Sequence, residues 1–131
     1  KGADIEKLRN SLSKLSDKQI RNYYEDAKLT IIPLIDSFQP SGQSVALQSM
    51  SMEVPVLISE TKGFWDKNDF LQKKDIFYLE DNSLNNWVKT IKDLYENEKL
   101  LNEVSNNAKE KIDNNYELNS FYERIKKVLN L

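Results

Sequence analysis

A short polar segment holds the residues of this chain that are best suited to bind a ligand. Residues 36–44 read DSFQPSGQS and place one of the three glycines of the chain beside several serines. Glycine lets a ligand approach the main chain closely, and the amides of Gln43, Ser44 and Val45 would lie at the positive end of a following helix. Such amides bind phosphate oxygens, and Ser41 and Ser44 add hydroxyl donors. The same residues also suit a turn that only caps a helix, so the residues alone leave both interpretations open.

The composition excludes several other kinds of chemistry. The 131 residues include no cysteine and no histidine, which removes disulfides, thiolate nucleophiles, the commonest general base and the commonest transition-metal ligand. Nineteen basic and 21 acidic residues are interspersed, so the charge pattern predicts no nucleic-acid surface. Asp66 and Asp69 form an ordinary acidic pair, and we predict no metal site. No apolar run reaches the roughly 20 residues that cross a bilayer, and the chain is predicted to be cytoplasmic.

The elements around the polar segment predict an α/β fold. Ser16 and Gln19 have the spacing of a capping box, and apolar runs bounded by prolines or polar residues predict short buried strands. Strand, helix, strand, helix, strand implies a parallel sheet, and ligands bind beyond the carboxyl ends of such strands. The predicted strands are 29–32, 55–58 and 76–79, and the predicted helices are 17–27, 44–52, 66–71, 83–95, 98–114 and 118–130.

Apolar residues at helical spacing predict the buried faces of these helices. The first helix would bury Ile20, Tyr23, Tyr24 and Ala27, and the last would bury Phe121, Ile125, Val128 and Leu129. Residues 1–15 are predicted to be a remnant of an upstream unit, and 83–131 a helical tail. The fold class is therefore a partial Rossmann-like parallel sheet with flanking helices and a helical C-terminal tail.

The segment PSGQSVALQSMSMEVPVL (residues 40–57) resembles the nucleotide-sugar-binding segment of retaining glycosyltransferases of the GT-B fold, family 4. In that family a glycine-containing loop leads into a helix reading Glu-Ala-Met-Ala, followed by Gly, one residue and Pro-Val-Ile. YYEDAKLTIIPL before it, Gly63, and DIFYLEDNSLNNWVKTIKDLYEN after it resemble the flanking parts of the family. The similarity covers most of residues 16–131. It implies that 16–131 is a partial nucleotide-sugar-binding domain, which includes the helical tail, from the C-terminal half of a GT-B glycosyltransferase.

The resemblance implies roles for particular residues. The diphosphate of a sugar nucleotide would contact Gly42, Gln43 and Ser44, with Ser41 beside them. The ribose would contact Gln48, which stands where the family has glutamate; an amide offers one acceptor oxygen where a carboxylate accepts two bonds.

Three further positions bear on the donor sugar and its surroundings. The carboxylate associated with the sugar would fall on Pro40, and Asp36 is the nearest upstream acid, either a sugar contact or a turn cap. Glu53 stands where the family usually has glycine. The next loop supplies candidate cleft residues: Glu60, Lys62, Trp65 and Asp66.

The resemblance also implies an activity. The family moves a sugar from a nucleotide-diphosphate sugar to a glycan or lipid-linked acceptor with retention, without a further cofactor, and the parent protein could associate peripherally with a membrane. The family's upstream arginine and lysine, and its acceptor-binding N-terminal domain, have no counterpart within residues 1–15. We therefore assign no catalytic residue here and predict that this chain alone is inactive.

A different class of function remains open at this point. The chain could instead be a non-catalytic α/β interaction module without nucleotide binding. The loop would then be structural, and the amphipathic tail would bind a partner or cover a sheet through Phe121, Tyr122, Ile125 and Leu129.

Overall fold

Three parallel strands and five helices make up the part of the chain described by the computed structural model, residues 14–64 and 67–129. The predicted α/β class, with a partial Rossmann-like parallel sheet, flanking helices and a helical C-terminal tail, is confirmed. Predictions for residues 1–13, Trp65, Asp66 and Asn130 lie outside the described residues. The elements in chain order are α1 (Asp17–Glu25), β1 (Thr30–Ile32), α2 (Gln43–Ser51), β2 (Val56–Ser59), β3 (Phe77–Leu79), α3 (Leu84–Glu96), α4 (Glu98–Asn115) and α5 (Leu118–Leu129).

The sheet has the order β1-β2-β3, with Ile31 opposite Leu57 and Leu57 opposite Phe77. Every residue of the central strand β2 is buried, as expected for a strand covered on both faces. Because side chains alternate along a strand, the sheet separates two apolar clusters, and α4 contributes to both. The first cluster includes Ile32, Ala46, Met50, Ile58, Phe70, Ala108 and Ile112, and the second includes Leu57, Phe77, Trp87, Leu94, Leu101 and Val104.

Side chains cap three of the helices. The predicted capping box at α1 is present, since the Gln19 amide donates to Ser16 Oγ and the Ser16 amide donates to Gln19 Oε1. Ser83 accepts from the Asn86 amide at the start of α3, and Asn97 accepts from the Leu100 amide at the start of α4. The start of α2 differs, because no side chain caps it.

The predicted short helix over residues 66–71 is wrong for its described part, where residues 67–71 form turns. Residues 67–76 belong to the second crossover, the connection from β2 to β3, and side chains there replace helical hydrogen bonds. Asp75 Oδ2 accepts from the Leu71 amide at 2.9 Å, and the Gln72 side-chain amide exchanges two hydrogen bonds with the main chain of Tyr78 in β3. Polar residues in this segment therefore satisfy the backbone without a helix.

Two predicted apolar faces are not buried. No residue of α1 or α5 is buried, and Tyr23, Phe121 and Val128 are more than half exposed. The spacing of apolar residues predicted both helices correctly, but it did not predict whether another element covers their apolar faces. Among the described residues, no helix is both long enough and apolar enough to cross a membrane.

Glu53 is expected to limit stability where α2 ends. Its φ of 60° lies in the left-handed region, while the Val54 amide closes the helix by donating to Ser49 O at 3.0 Å. A side chain in this conformation is strained. We expect Glu53→Gly to raise the free energy of unfolding by about 0.5–1 kcal/mol in urea denaturation, the strain relief exceeding the entropy cost of glycine. The control Glu53→Ala removes the carboxylate and keeps the strain, so an equal gain from alanine would contradict the explanation.

Candidate functional site

Gly42 is the N-cap residue of α2 and lies near the carboxyl end of β1. Its φ of 79° favours glycine, and a Cβ there would lie 3.1 Å from both Ile32 Cγ2 and Ile58 Cδ1. The first helical hydrogen bond runs from the Ala46 amide to Gly42 O. The amides of Gln43, Ser44 and Val45 precede that bond and have no partner within the helix. The structure thus places an uncapped, electropositive helix start at the predicted diphosphate position.

The serines of this loop differ in their surroundings. Ser37 Oγ hydrogen-bonds both the amide and the carbonyl of Gln39, whereas Ser41 Oγ reaches Gln39 O only at 3.5 Å. A contact of that length is weak. Ser41 and Ser44 are exposed, so their hydroxyls remain accessible beside the helix start.

Gln48 lies one helical turn beyond Ser44 on the same face of α2, because residues four apart are neighbours on a helix. It lines an open groove of about 330 Å³ between α1 and α2. Burial raises the pKa of the Tyr24 phenol in this groove. The other residues of the groove are Asp17, Ile20, Arg21, Ser51 and Met52.

A second depression, of about 350 Å³, lies beyond the carboxyl ends of all three strands. Glu60 and Lys62, which the sequence places in the cleft, line it. Leu34 connects it to the start of α2, since a Cβ on Gly42 would lie 3.3 Å from Leu34 Cδ1. The full lining is Leu34, Asp36, Glu60, Thr61, Lys62, Lys67, Glu80 and Asn82.

Asp36 joins the loops that follow β1 and β2. Its Oδ1 accepts from the Lys62 amide at 3.0 Å, and its Oδ2 lies 3.3 Å from Lys62 Nζ. These contacts, the hydrogen bond from the Lys62 amide above all, lower the pKa of Asp36. The Gly63 amide adds a hydrogen bond to Ser37 O at 2.8 Å. Asp36 therefore positions the two loops while one edge of it faces the depression.

Sequence reasoning missed a polar network at the same edge of the sheet. Ser59 Oγ accepts from the Leu34 amide and donates to Asn82 Oδ1, and Asn82 Nδ2 donates to Leu34 O. Trp87 Nε1 also donates to Asn82 Oδ1 at 2.8 Å. The available signal was a polar residue at or shortly after the end of each of two strands, Ser59 as the last residue of β2 and Asn82 three residues after β3, where side chains of parallel sheets reach the carboxyl edge.

The predicted residues fall into three adjoining places. Gly42, Gln43, Ser44 and Ser41 lie at the start of α2, Gln48 lies in the α1–α2 groove, and Asp36 lies in the carboxyl-edge depression. Pro40 is exposed in the loop between them. The start of α2 and the groove lie at different points along the helix, and the depression adjoins the start of α2 through Leu34.

The comparisons with known proteins concern the fold. The chain is similar to the crystal structure of a glycosyltransferase from Rickettsia africae ESF-5, with a TM-score of 0.66 and 20% identity over 87% of this chain. It spans 31% of the length of that structure. This similarity shows a glycosyltransferase-like fold. No protein-family model matches the chain, and neither does any curated protein.

Proposed function

We propose that this chain is the donor-binding part of a GT-B glycosyltransferase of family 4. The enzyme would transfer a sugar, with retention, from a nucleotide-diphosphate sugar to a glycan or lipid-linked acceptor. The supporting observation is the arrangement at α2: a glycine-initiated, uncapped helix start with Gln48 one turn beyond it, facing a groove. The glycosyltransferase-like fold supports the same class.

Each part of the donor has a counterpart in the chemistry of the described residues. The amides of Gln43, Ser44 and Val45 would bind the diphosphate, and Ser41 would add a hydroxyl donor. Gln48 would bind the ribose, since residues one turn apart lie about 5–6 Å from each other, within reach of one nucleotide. The groove between α1 and α2 would hold the remainder of the nucleoside.

The diphosphate contacts assigned here are uncharged, because Ser41, Gly42, Gln43 and Ser44 carry no cation. A helix start alone stabilises an exposed anion by about 0.3–1 kcal/mol. Stabilising a departing diphosphate requires more than this, so the activity would depend on cationic groups and an acceptor-binding domain outside this chain. We propose that the chain alone is inactive, and that the parent enzyme acts in the cytoplasm, at the membrane surface when its acceptor is lipid-linked.

The test is a titration of the isotope-labelled chain with nucleoside diphosphates and their sugars, followed by amide chemical shifts. We expect weak, saturable binding, with the largest shifts at Gly42, Gln43, Ser44 and Gln48. Binding that is not saturable, or shifts that map away from these residues, would reject the donor site.

Gln48 provides a sharper prediction. A carboxylate accepts both ribose hydroxyls, so Gln48→Glu is expected to tighten nucleoside diphosphate binding about five-fold, since a hydrogen bond to a charged group is worth about 1 kcal/mol more than a neutral one. Gln48→Leu should weaken it. The matched control Asn102→Asp makes the same amide-to-acid change at an exposed site on α4 and should leave the affinity unchanged. An affinity that neither the glutamate nor the leucine variant changes would show that Gln48 does not bind ribose.

One observation favours a second candidate, the non-catalytic interaction module. The apolar face of α5, with Phe121, Tyr122 and Leu129 more than half exposed, has no covering element among the described residues. A module of this kind would bind a partner through α5 and would not bind nucleotides. The titration above therefore separates the two functions.

A further inference from the structure

Thr61 presents an unused hydroxyl to the carboxyl-edge depression. The residue is only 6% exposed, and it lines the depression two residues after the end of β2. Within residues 14–64 and 67–129, no side chain or main-chain group hydrogen-bonds its Oγ1, and no fully buried side-chain oxygen or nitrogen lacks a partner. The Thr61 hydroxyl therefore opens onto the depression. A polar group held in an otherwise buried side chain is costly unless something hydrogen-bonds it.

The charges around Thr61 restrict what that ligand can be. Three carboxylates (Asp36, Glu60 and Glu80) and two ammonium groups (Lys62 and Lys67) line the depression, which leaves one net negative charge. Both lysines already pair with carboxylates, Lys62 with Asp36 at 3.3 Å and Lys67 with Glu60. An anionic ligand would meet carboxylates whose cations are engaged, so the depression disfavours phosphates and acids.

We propose that this depression binds a neutral saccharide ring, with the Thr61 hydroxyl and the carboxylates of Asp36 and Glu80 as its hydrogen-bonding groups. Sugar hydroxyls donate to carboxylates, which only accept, while a threonine hydroxyl both donates and accepts. A cavity of about 350 Å³ is in the range of small-ligand sites. The Asn82 network with Ser59 and Leu34 holds the rim of the depression in place.

The position of the depression indicates which sugar it would take. Leu34 is shared between the depression and the surroundings of Gly42, so a sugar bound here would lie next to the proposed diphosphate contacts. As a site for the transferred sugar of the donor, this inference rests on the proposed function. As a saccharide site, it rests only on Thr61 and the surrounding charges. A neutral hexosyl group, rather than an acidic or phosphorylated one, is the substrate class that fits.

The experiment uses the whole chain with neutral methyl hexosides, in parallel with methyl glucuronide and glucose 6-phosphate, whose anionic groups lie away from C1, each followed by amide shifts into the high millimolar range. We expect saturable shifts at Asp36, Thr61, Lys62 and Glu80 with at least one neutral hexoside, and binding several-fold weaker with both anions. Absence of saturable shifts at these residues with every neutral hexoside, or anions that bind as well as neutral sugars, would overturn the proposal.

Substitution of Thr61 gives a second readout. Thr61→Val keeps the branched shape and removes the hydroxyl, and we expect about five-fold weaker hexoside binding, the loss of one hydrogen bond. Thr61→Ser keeps the hydroxyl and should restore most of the affinity. Equal binding by the valine variant, with an unchanged amide spectrum elsewhere, would exclude Thr61 as a ligand contact and overturn the proposal.

Nucleoside diphosphates without a sugar distinguish this inference from the proposed function. They should shift Gly42 and Gln48 and be insensitive to Thr61→Val. Hexoside binding without nucleotide binding would reject the donor site and keep the saccharide site. Nucleotide binding without hexoside binding would keep the donor site and reject the saccharide site.

Discussion

Replacing Lys111 with methionine is expected to lower the free energy of unfolding by about 3 kcal/mol, because it leaves a buried carboxylate without its cation. The Asp75 side chain is 2% exposed, and its Oδ2 lies 2.8 Å from Lys111 Nζ. Methionine keeps most of the aliphatic stem that passes Phe70, so the loss reports the charge rather than the packing. Urea denaturation measures this loss, provided that the slope of the unfolding free energy against urea concentration is the same in the variant and the original chain.

A double-mutant cycle isolates the ion pair. Asp75→Asn removes the charge and keeps an acceptor for the Leu71 amide, which donates to Asp75 Oδ2 at 2.9 Å. In the Asp75→Asn background, Lys111→Met should cost less than in the original chain, because no buried charge is left behind, with a coupling of about 1–3 kcal/mol. Additive losses would show that Lys111 acts through its other contacts, the Asp69 carbonyl and the Phe70 ring.

The Asp75–Lys111 pair also explains how the second crossover is held without a helix. Residues 67–76 form turns and an isolated bridge, and Lys111 on α4 binds both Asp75 and the Asp69 carbonyl. Phe70 stands between Asp69 and Asp75 in the sequence and is fully buried in the first cluster. Buried Phe70 and the part-buried Asp75–Lys111 pair therefore hold the crossover against α4, together with Asn107 of α4, whose side-chain amide donates to Lys74 O.

Local signals in the sequence predicted the elements well. The capping box at Ser16, the β-branched run ending at Ile32 and the periodic residues of α4 each act within a few positions of the chain, and each appears as predicted. The predicted helix was wrong over its described residues 67–71, because the contacts that hold this segment are not local. Asp75 and Lys111 are 36 residues apart, and a pattern within a few positions of either residue does not predict that they pair.

The same distinction applies to the candidate site. The sequence predicted that Gly42 would form a turn between a strand and a helix, in a conformation that favours glycine. Its φ of 79° agrees with that prediction. The Asp36–Lys62 and Ser59–Asn82 contacts join positions 26 and 23 residues apart, so they depend on which strands become neighbours. Sequence alone placed Asp36 as either a turn cap or a sugar contact, whereas the structure shows it bridging two loops. The roles assigned to Gly42, Gln43, Ser44 and Gln48 in donor binding remain predictions.

Gly63→Ala is expected to lower the free energy of unfolding by about 2 kcal/mol, the cost of inserting a methyl group where no space exists. A Cβ on Gly63 would lie 2.6 Å from Phe38 C and 2.7 Å from the carbonyl oxygens of Phe38 and Gln39. These atoms belong to the backbone, so the two loops must separate rather than repack a side chain. The Gly63 amide would then lose its 2.8 Å hydrogen bond to Ser37 O. Urea denaturation measures the loss, and amide shifts at residues 36–39 should show the separation.

Lys62→Ala is the matched control, because it removes the ion pair across the same two loops without adding an atom between them. Both partners of that pair are more than half exposed, and such pairs contribute about 0–1 kcal/mol. The Lys62 amide would still donate to Asp36. We therefore expect a loss well below that of Gly63→Ala. If Gly63→Ala and Lys62→Ala lower the free energy of unfolding by the same amount, the loops are joined by charge rather than by close backbone contact. If the alanine at position 63 alone loosens the loops, Asp36 should also move away from the depression, and hexoside binding should weaken together with stability.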